Sequence, residues 1–288
     1  MRKRWTPYLF LAPALIVFGL FTAYPVLRTI QMSLQNYDFL RPHEAAYIGL
    51  GNYKEAAFGD PTARTALRNT LYFTLLFLPP YVLLPLPIAF LIDRLRRQTF
   101  MRVVTFLPVV VSGAVVAVLW TTFYHANGPL MAAARSLGFT KVDFLGAPAM
   151  AMPSLVAVCV WHGLGFNVLL YLVRLASIPG ELYEAAAVDG ARGRDVFWGV
   201  TLPLLRPAIY LVTVLGLIGS LKVFAPMFIM TDGGPGDSTL SAVMHIYKTA
   251  FKYGDLRFGY AASMAVMLAV IITACAMVSS RLDRPVDE

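Results

Sequence analysis

Six stretches of this chain are so apolar and so long that they constrain everything else: residues 8–30, 71–92, 103–123, 152–175, 208–230 and 258–278. A helix needs about 20 mostly apolar residues to cross a hydrocarbon layer roughly 30 Å thick. The runs are continuous rather than alternating, which excludes a closed barrel, the other spanning solution. With 58% hydrophobic and 14% charged residues, the chain lacks the polar surface that a soluble fold of 288 residues needs. The expected fold is an all-α integral membrane protein, one domain over residues 1–288 with six transmembrane helices.

Nine prolines fall within or beside these runs: Pro13, Pro25, Pro79, Pro80, Pro85, Pro87, Pro108, Pro153 and Pro226. Each removes a backbone donor and tends to kink a helix, which a bundle tolerates where a neighbour satisfies the freed carbonyl. The basic residues set the orientation. Arg2, Lys3, Arg4, Arg94, Arg96, Arg97, Arg102, Arg174, Arg192, Arg194, Arg206, Arg281 and Arg284 fall on one side, 13 of the 24 Lys and Arg. On the other side, between Gln31 and Arg68, four acids offset four bases. The positive-inside rule therefore places both termini in the cytoplasm. The net charge of +8 is explained in this way, without a nucleic-acid partner. The first run exceeds the apolar core of a signal peptide and is read as a permanent helix. Cys159 and Cys275 both lie inside runs and imply no disulfide framework.

No phosphate-binding loop or H-E-x-x-H metal motif is present, and His43, His125, His162 and His245 share no spacing. Neither a catalytic constellation nor a metal site is expected. Asp93 sits at the end of its run and no acid lies near a midplane, which counts against an ion-coupled carrier. Any work derived from ATP would have to come from another chain.

The connection over residues 176–206 is longer and more charged than a simple turn requires. Ser177 and Pro179 are start signals for a short helix over about 179–189, and Gly190 suits the left-handed residue that ends it. Ala185 and Ala186 would let a partner approach closely, beside Glu184 and Asp189. A second helix over about 194–202 would lead back to the membrane, with Pro203 and Pro207 breaking the re-entry. The alternative is an amphipathic helix lying on lipid headgroups.

Glu184-Ala185-Ala186, three residues, Gly190, nine residues, then Val200-Thr201-Leu202-Pro203 resembles the cytoplasmic signature E-A-A-x3-G-x9-I-x-L-P of permease subunits of binding-protein-dependent ABC importers. Val200 for isoleucine is the one departure. Gly49-Leu50-Gly51-Asn52-Tyr53, Asn69-Thr70, Phe106-Leu107-Pro108 and Ser177-Ile178-Pro179 are similar to elements of the carbohydrate-uptake branch, the maltose and glycerol-3-phosphate permeases. Thr231-Asp232-Gly233-Gly234-Pro235-Gly236 resembles the T-x-G-G-P element of the first permease type. The resemblance covers nearly the whole chain.

It implies the type I permease fold in a bacterial or archaeal cell membrane. It further implies a second homologous permease, two ABC ATPase subunits that bind ATP and Mg, and an extracytoplasmic solute-binding protein delivering a sugar-like substrate. No cofactor is expected on this chain, which would itself catalyse nothing. Glu184, Ala185, Ala186, Asp189, Gly190, Leu202 and Pro203 would couple to the ATPase. Cys159, His162, Gly163, Phe166, Gly216, Gly219, Ser220 and Val223 would line the solute pathway. Lys222 lies about 13 Å from the outer end of its run, within snorkelling reach. It is read as structural, with contact to an acidic solute as the alternative, and Arg174 is read as an interface anchor. Against the importer stand a secondary, ion-coupled transporter without an ATPase, a membrane enzyme and a passive channel.

Overall fold

The computed structural model describes residues 6–95, 97–139, 142–252 and 256–282. Arg2, Lys3, Arg4, Arg96 and Arg284, used above for orientation, lie outside them. Among the described residues, five helices are long and apolar enough to cross a membrane without a sharp break: Tyr8–Ser33 (α1), Pro61–Arg94 (α2), Pro148–Ala176 (α5), Gly193–Leu221 (α7) and Phe258–Ser279, the spanning part of α10 (Phe258–Leu282). The sixth span is bent. Gln98–Val110 (α3) and the limb that begins with Gly113–Tyr124 (α4) meet at 94°. Shorter helices are Gly180–Val188 (α6), Ala225–Met230 (α8) and Ala242–Phe251 (α9).

Two expected spans are thus not straight. The run 103–123 breaks at Val111 and Ser112, which are both extended. Pro108 removes a donor there, three consecutive valines restrict χ1, and Ser112-Gly113 favours a break. The run 208–230 stops at Leu221 and resumes at Ala225. Pro226 explains this, because it supplies no N–H for the Lys222 carbonyl and its ring crowds that carbonyl, while it fits the first turn of the new helix. Lys222 accordingly caps the end of α7 in a turn, with an exposed side chain, rather than lying inside a span.

The chain divides into two compact units, Thr65–Met244 with Ile272–Glu288, and Met1–Arg64 with His245–Ile271. In the larger unit α5 carries most of the ties. Pro85 cannot donate to the carbonyl of Tyr81, four residues earlier. The fully buried Asn167 fills that gap, its Nδ2 donating to Tyr81 O at 3.0 Å. The Tyr171 hydroxyl donates to Val82 O at 3.1 Å. Gly163 lies four residues before Asn167, and a Cβ there would come within 2.5 Å of the Tyr81 ring. The four-residue spacing stacks Gly163, Asn167 and Tyr171 on one face, directed at the proline kink of α2. Gly165 meets the Thr105 carbonyl of α3 closely enough to exclude any side chain.

The break between α7 and α8 is satisfied in the same manner: Ser241 Oγ donates to Val223 O at 2.8 Å. Asn69 Nδ2 donates to Asp237 O at 2.6 Å and Leu240 O at 3.1 Å, and Thr70 Oγ1 accepts from the Ala242 amide at 2.9 Å. The Thr-x-Gly-Gly-Pro loop is therefore anchored on the Asn69-Thr70 pair. Asp232 and Asp237 take positive φ (46° and 58°) beside Gly233 and Gly236, which Asp tolerates better than most residues.

The smaller unit packs the first outer loop on α9 and α10. Strands Gln35–Asn36 (β1) and Ala46–Tyr47 (β2) pair antiparallel. Asn52 Nδ2 donates to Ser33 O and Gln35 O at 3.0 and 2.9 Å. Gly259 faces Gln35 O so closely that a side chain has no room, and its amide donates to Tyr37 O at 3.0 Å. Asp60 Oδ1 caps α2, accepting from the Thr62 and Ala63 amides at 2.7 and 3.1 Å, and Pro61 begins the helix. Burial opposes the Asp60 charge, but hydrogen bonds from Tyr260, the Ala63 and Thr62 amides and His245 outweigh it and hold the carboxyl below 3.8.

Asn167→Leu should leave the Tyr81 carbonyl buried and unpaired, at a cost of about 1–3 kcal/mol. A clear fall in the melting temperature of the detergent-purified protein checks this. The depressed Asp60 value contributes stability that is fully present above pH 3.8 and is lost as pH falls through the lower folded value. Asp60→Asn should remove this acid-dependent part of the melting curve.

Candidate functional site

The cytoplasmic connection folds largely as its residues dictate. α6 ends in a Schellman motif: the Ala191 amide donates to Ala186 O at 2.9 Å and the Gly190 amide to Ala187 O at 3.1 Å. Gly190 takes φ +77°, the left-handed conformation that glycine alone adopts freely. No residue of α6 is buried, and Val188 is 87% exposed. Glu184, Ala185 and Asp189 are exposed and Ala186 half-buried. The helix thus shows its small and charged faces outward, with no apolar core of its own.

Three details differ from expectation. Ser177 Oγ donates back to Arg174 O at 2.7 Å, so Pro179, not a hydroxyl, precedes the helix. The segment after Arg192 is no separate helix: Gly193 starts α7, which passes through a wider π turn at Phe197–Thr201 and continues to Leu221. Pro203 and Pro207 do not break it, because Pro203 lies in the first turn after the π turn, where a missing N–H costs least. Beside this junction Arg174 Nε donates to Leu204 O at 2.9 Å, tying α5 to α7. Leu202 and Pro203 are half-buried at this junction.

Tyr183 joins α6 to the π turn through Thr201 Oγ1 at 3.4 Å. Below it lies a cavity of about 990 Å³, walled by Leu86, Phe90, Leu175 and Phe197, with Asp93 and Arg94 at its polar edge. The Phe90 and Phe197 rings meet edge to face at 5.2 Å.

The membrane-depth candidates separate into two sets. Gly163 and Gly216 both pack on Tyr81; a Cβ on Gly216 would lie 2.7 Å from its ring. Ser220 is buried, with Oγ donating to Leu217 O at 2.9 Å, and Val223 belongs to the apolar core. Cys159 packs against that same core, and both cysteines are free thiols. Phe166, Gly219 and Lys222 are exposed. His162 is brought to the bend of the third span, its Nε2 3.1 Å from Val111 O. A carbonyl only accepts, so Nε2 carries the hydrogen. Sequence reasoning did not single out Tyr81 or Val111. Proline spacing could have pointed to the first, and the valine run before Ser112-Gly113 to the second. Among the described residues, no group of three or more His, Cys, Asp or Glu could hold a metal ion.

Membrane-length helices, one of them bent by 94°, together with an exposed helix on a basic connection, define a polytopic membrane protein. The chain belongs to the family described as binding-protein-dependent transport system inner membrane component, whose profile matches residues 56–287. It is a multi-pass inner membrane protein. It is 34% identical to the probable ABC transporter permease protein YurN of Bacillus subtilis, with 96% of this chain and 94% of that one covered. It is 31% identical to the arabinooligosaccharides transport system permease protein AraP of the same organism, with 97% and 89% covered. A crystal structure of a bacterial alginate ABC transporter, in complex with an alginate pentasaccharide-bound periplasmic protein, matches with a TM-score of 0.84. That match is at 24% identity and covers 99% of this chain and 96% of that one. The fold is the type I importer permease fold.

Gly190→Ala places a Cβ in the left-handed region at about 1–2 kcal/mol. Amides 187–191 should exchange faster with deuterated solvent, while the melting temperature of the whole protein stays nearly constant.

Proposed function

We propose that this chain is the membrane permease subunit of an ATP-driven importer that carries a sugar, an oligosaccharide or a related polyol. The observation that carries the reading is α6: a sharply terminated helix, exposed along most of its surface and tied to its own chain mainly through Tyr183, in a member of a binding-protein-dependent transport family. Two ABC ATPases, which bind ATP and Mg, would take α6 of this chain and its counterpart on a second homologous permease. Glu184 would meet a basic residue at the rim of the ATPase groove, and Ala185 and Ala186 would permit close approach. The ties Tyr183–Thr201 and Arg174–Leu204 would pass the ATPase motion to α7 and α5 as movement of a rigid element.

The solute would pass beside the two broken spans. Irregular backbone at membrane depth is tolerated only where protein buries it or a watery cavity meets it. His162, Phe166 and Gly219 offer hydrogen-bonding and aromatic surface near those breaks, which suits a sugar. Gly163, Gly216, Ser220 and Val223 would act by shaping the helices around the path. The sugar class is supported by the relatives named for arabinooligosaccharides and alginate transport. The solute would be delivered by an extracytoplasmic binding protein.

The test is uptake of labelled arabinose-, glucose- and uronate-based oligosaccharides into vesicles holding the assembled transporter. Glu184→Lys should reduce uptake by about tenfold or more, the equivalent of at least 1.4 kcal/mol of coupling, with membrane insertion unchanged. Uptake that persists without ATP or without the binding protein would overturn the reading in favour of a secondary transporter.

A further inference from the structure

Two apolar cores fill the larger unit, and one gives way to the other at a matching level in three helices. On α2 the first core holds Phe73 and Phe77, and the second holds Val82 and Ala89. On α5 the change falls between Val160 and Val168, and along α7 and α8 between Val212 and Val223. Each helix has its weakest backbone in that interval. Pro79, Pro80, Pro85 and Pro87 strip donors from α2. Gly163 and Gly165 lie there on α5, and Gly216 and Gly219 on α7; after proline, glycine is the poorest helix former.

Tyr81 sits in this interval. Among the described apolar residues it alone packs against both cores. Its ring is wedged by its two long edges. A Cβ on Gly163 would come within 2.5 Å of Cε2, and one on Gly216 within 2.7 and 2.8 Å of Cδ1 and Cε1. One edge therefore faces α5 and the other α7. Phe77 of the first core holds the ring from a third side, with the centroids 4.5 Å apart. The Tyr81 carbonyl is held in turn by Asn167 Nδ2 of α5.

The two cores border different parts of the proposed machinery. Leu175 and Leu205 of the second are next in sequence to Arg174 and Leu204, the tie beside α6. Val116 and Ala117 of the first belong to α4, just past the bend, and Val223 lies in the break between α7 and α8. A displacement at α6 thus crosses the interval on its way to the broken spans. Densely packed side chains resist deformation, whereas helices bend where prolines and glycines interrupt them.

We propose that Tyr81 is a positioning residue of the transport cycle. Its ring, wedged between Gly163 and Gly216, keeps the two cores in register. Movement applied at α6 then reaches the broken spans instead of being absorbed by bending of α2, α5 and α7. Gly163 and Gly216 are the sockets of the wedge, which needs positions without a side chain. The inference rests on the importer reading above and adds the residue that carries the drive between the cores. Tyr81 touches neither solute nor ATPase in this scheme.

The experiment uses the complete transporter in proteoliposomes with its binding protein. Uptake of labelled arabinose-, glucose- and uronate-based oligosaccharides and release of phosphate are read in the same sample. In Tyr81→Ala the solute taken up per ATP hydrolysed should fall about fivefold, while hydrolysis stimulated by the binding protein persists. Tyr81→Phe keeps both ring edges and should keep the ratio of the unaltered protein. Tyr81→Leu, nearer the original volume, should lower the ratio in the same direction and decides the matter if the alanine variant does not fold. Uptake and hydrolysis that fall in parallel, at constant ratio, mark a role in folding alone and overturn the proposal. An unchanged ratio in both Tyr81→Ala and Tyr81→Leu overturns it too. A loss in Tyr81→Phe equal to that in Tyr81→Ala assigns the effect to the hydroxyl and has the same consequence. An unaltered assembly that takes up solute without ATP, or hydrolyses ATP without response to the binding protein, would instead bring down the importer reading.

Discussion

The constraint on which the larger unit depends is the demand of buried carbonyls in a proline-rich span. Pro79, Pro80, Pro85 and Pro87 lie within nine residues of α2, and each removes an N–H where no water is available to replace it. Asn167 supplies the donor that Pro85 cannot give to Tyr81, and Tyr171 adds a bond to the Val82 carbonyl, which fixes the face that α5 turns to α2. Once that face is set, Gly163 falls against the Tyr81 ring and Gly165 against Thr105 of α3. His162, one residue before Gly163, then reaches the Val111 carbonyl at the bend. One helix organises both neighbours, and does so with polar groups, because apolar contact alone gives little specificity among lipid-like surfaces.

The same economy governs the breaks in the third and fifth spans. A helix broken in a membrane needs local donors for its freed carbonyls, and here His162 and Ser241 provide them for Val111 and Val223. Both breaks can therefore persist without a ligand. The segment that holds α6 is built on the opposite principle. α6 is finished by its own backbone through the Schellman motif and touches the bundle mainly through Tyr183. Most of its surface is exposed, while Arg174 and the π turn secure the start of α7.

Much of this was legible in the residues. Four of the six apolar runs lie in single spans, the third is bent and the fifth is shifted to Gly193–Leu221, and Gly190 ends α6 with positive φ as its place after Asp189 suggests. Other features were visible as motifs without their meaning. Asn69-Thr70 and the Thr-x-Gly-Gly-Pro loop are about 160 residues apart in sequence, yet form one anchor through the Asp237 and Leu240 carbonyls. Asp60, His245 and Tyr260 gave no signal singly, because an acid before a proline is an ordinary cap and a lone histidine has no periodic partner.

What the sequence determined by itself was the solvent, the number of spans, and the position of the short helix that Gly190 ends. These follow from hydropathy, charge and glycine placement, which act locally along the chain. The tertiary structure decided which prolines bend a span and which are absorbed, where the third and fifth spans break, and which polar side chain serves which carbonyl. Those outcomes depend on what lies across the bundle. A freed carbonyl is satisfied or not by a residue 50 to 90 positions away, as with Val111 and His162 or Tyr81 and Asn167, and local pattern carries no record of that distance.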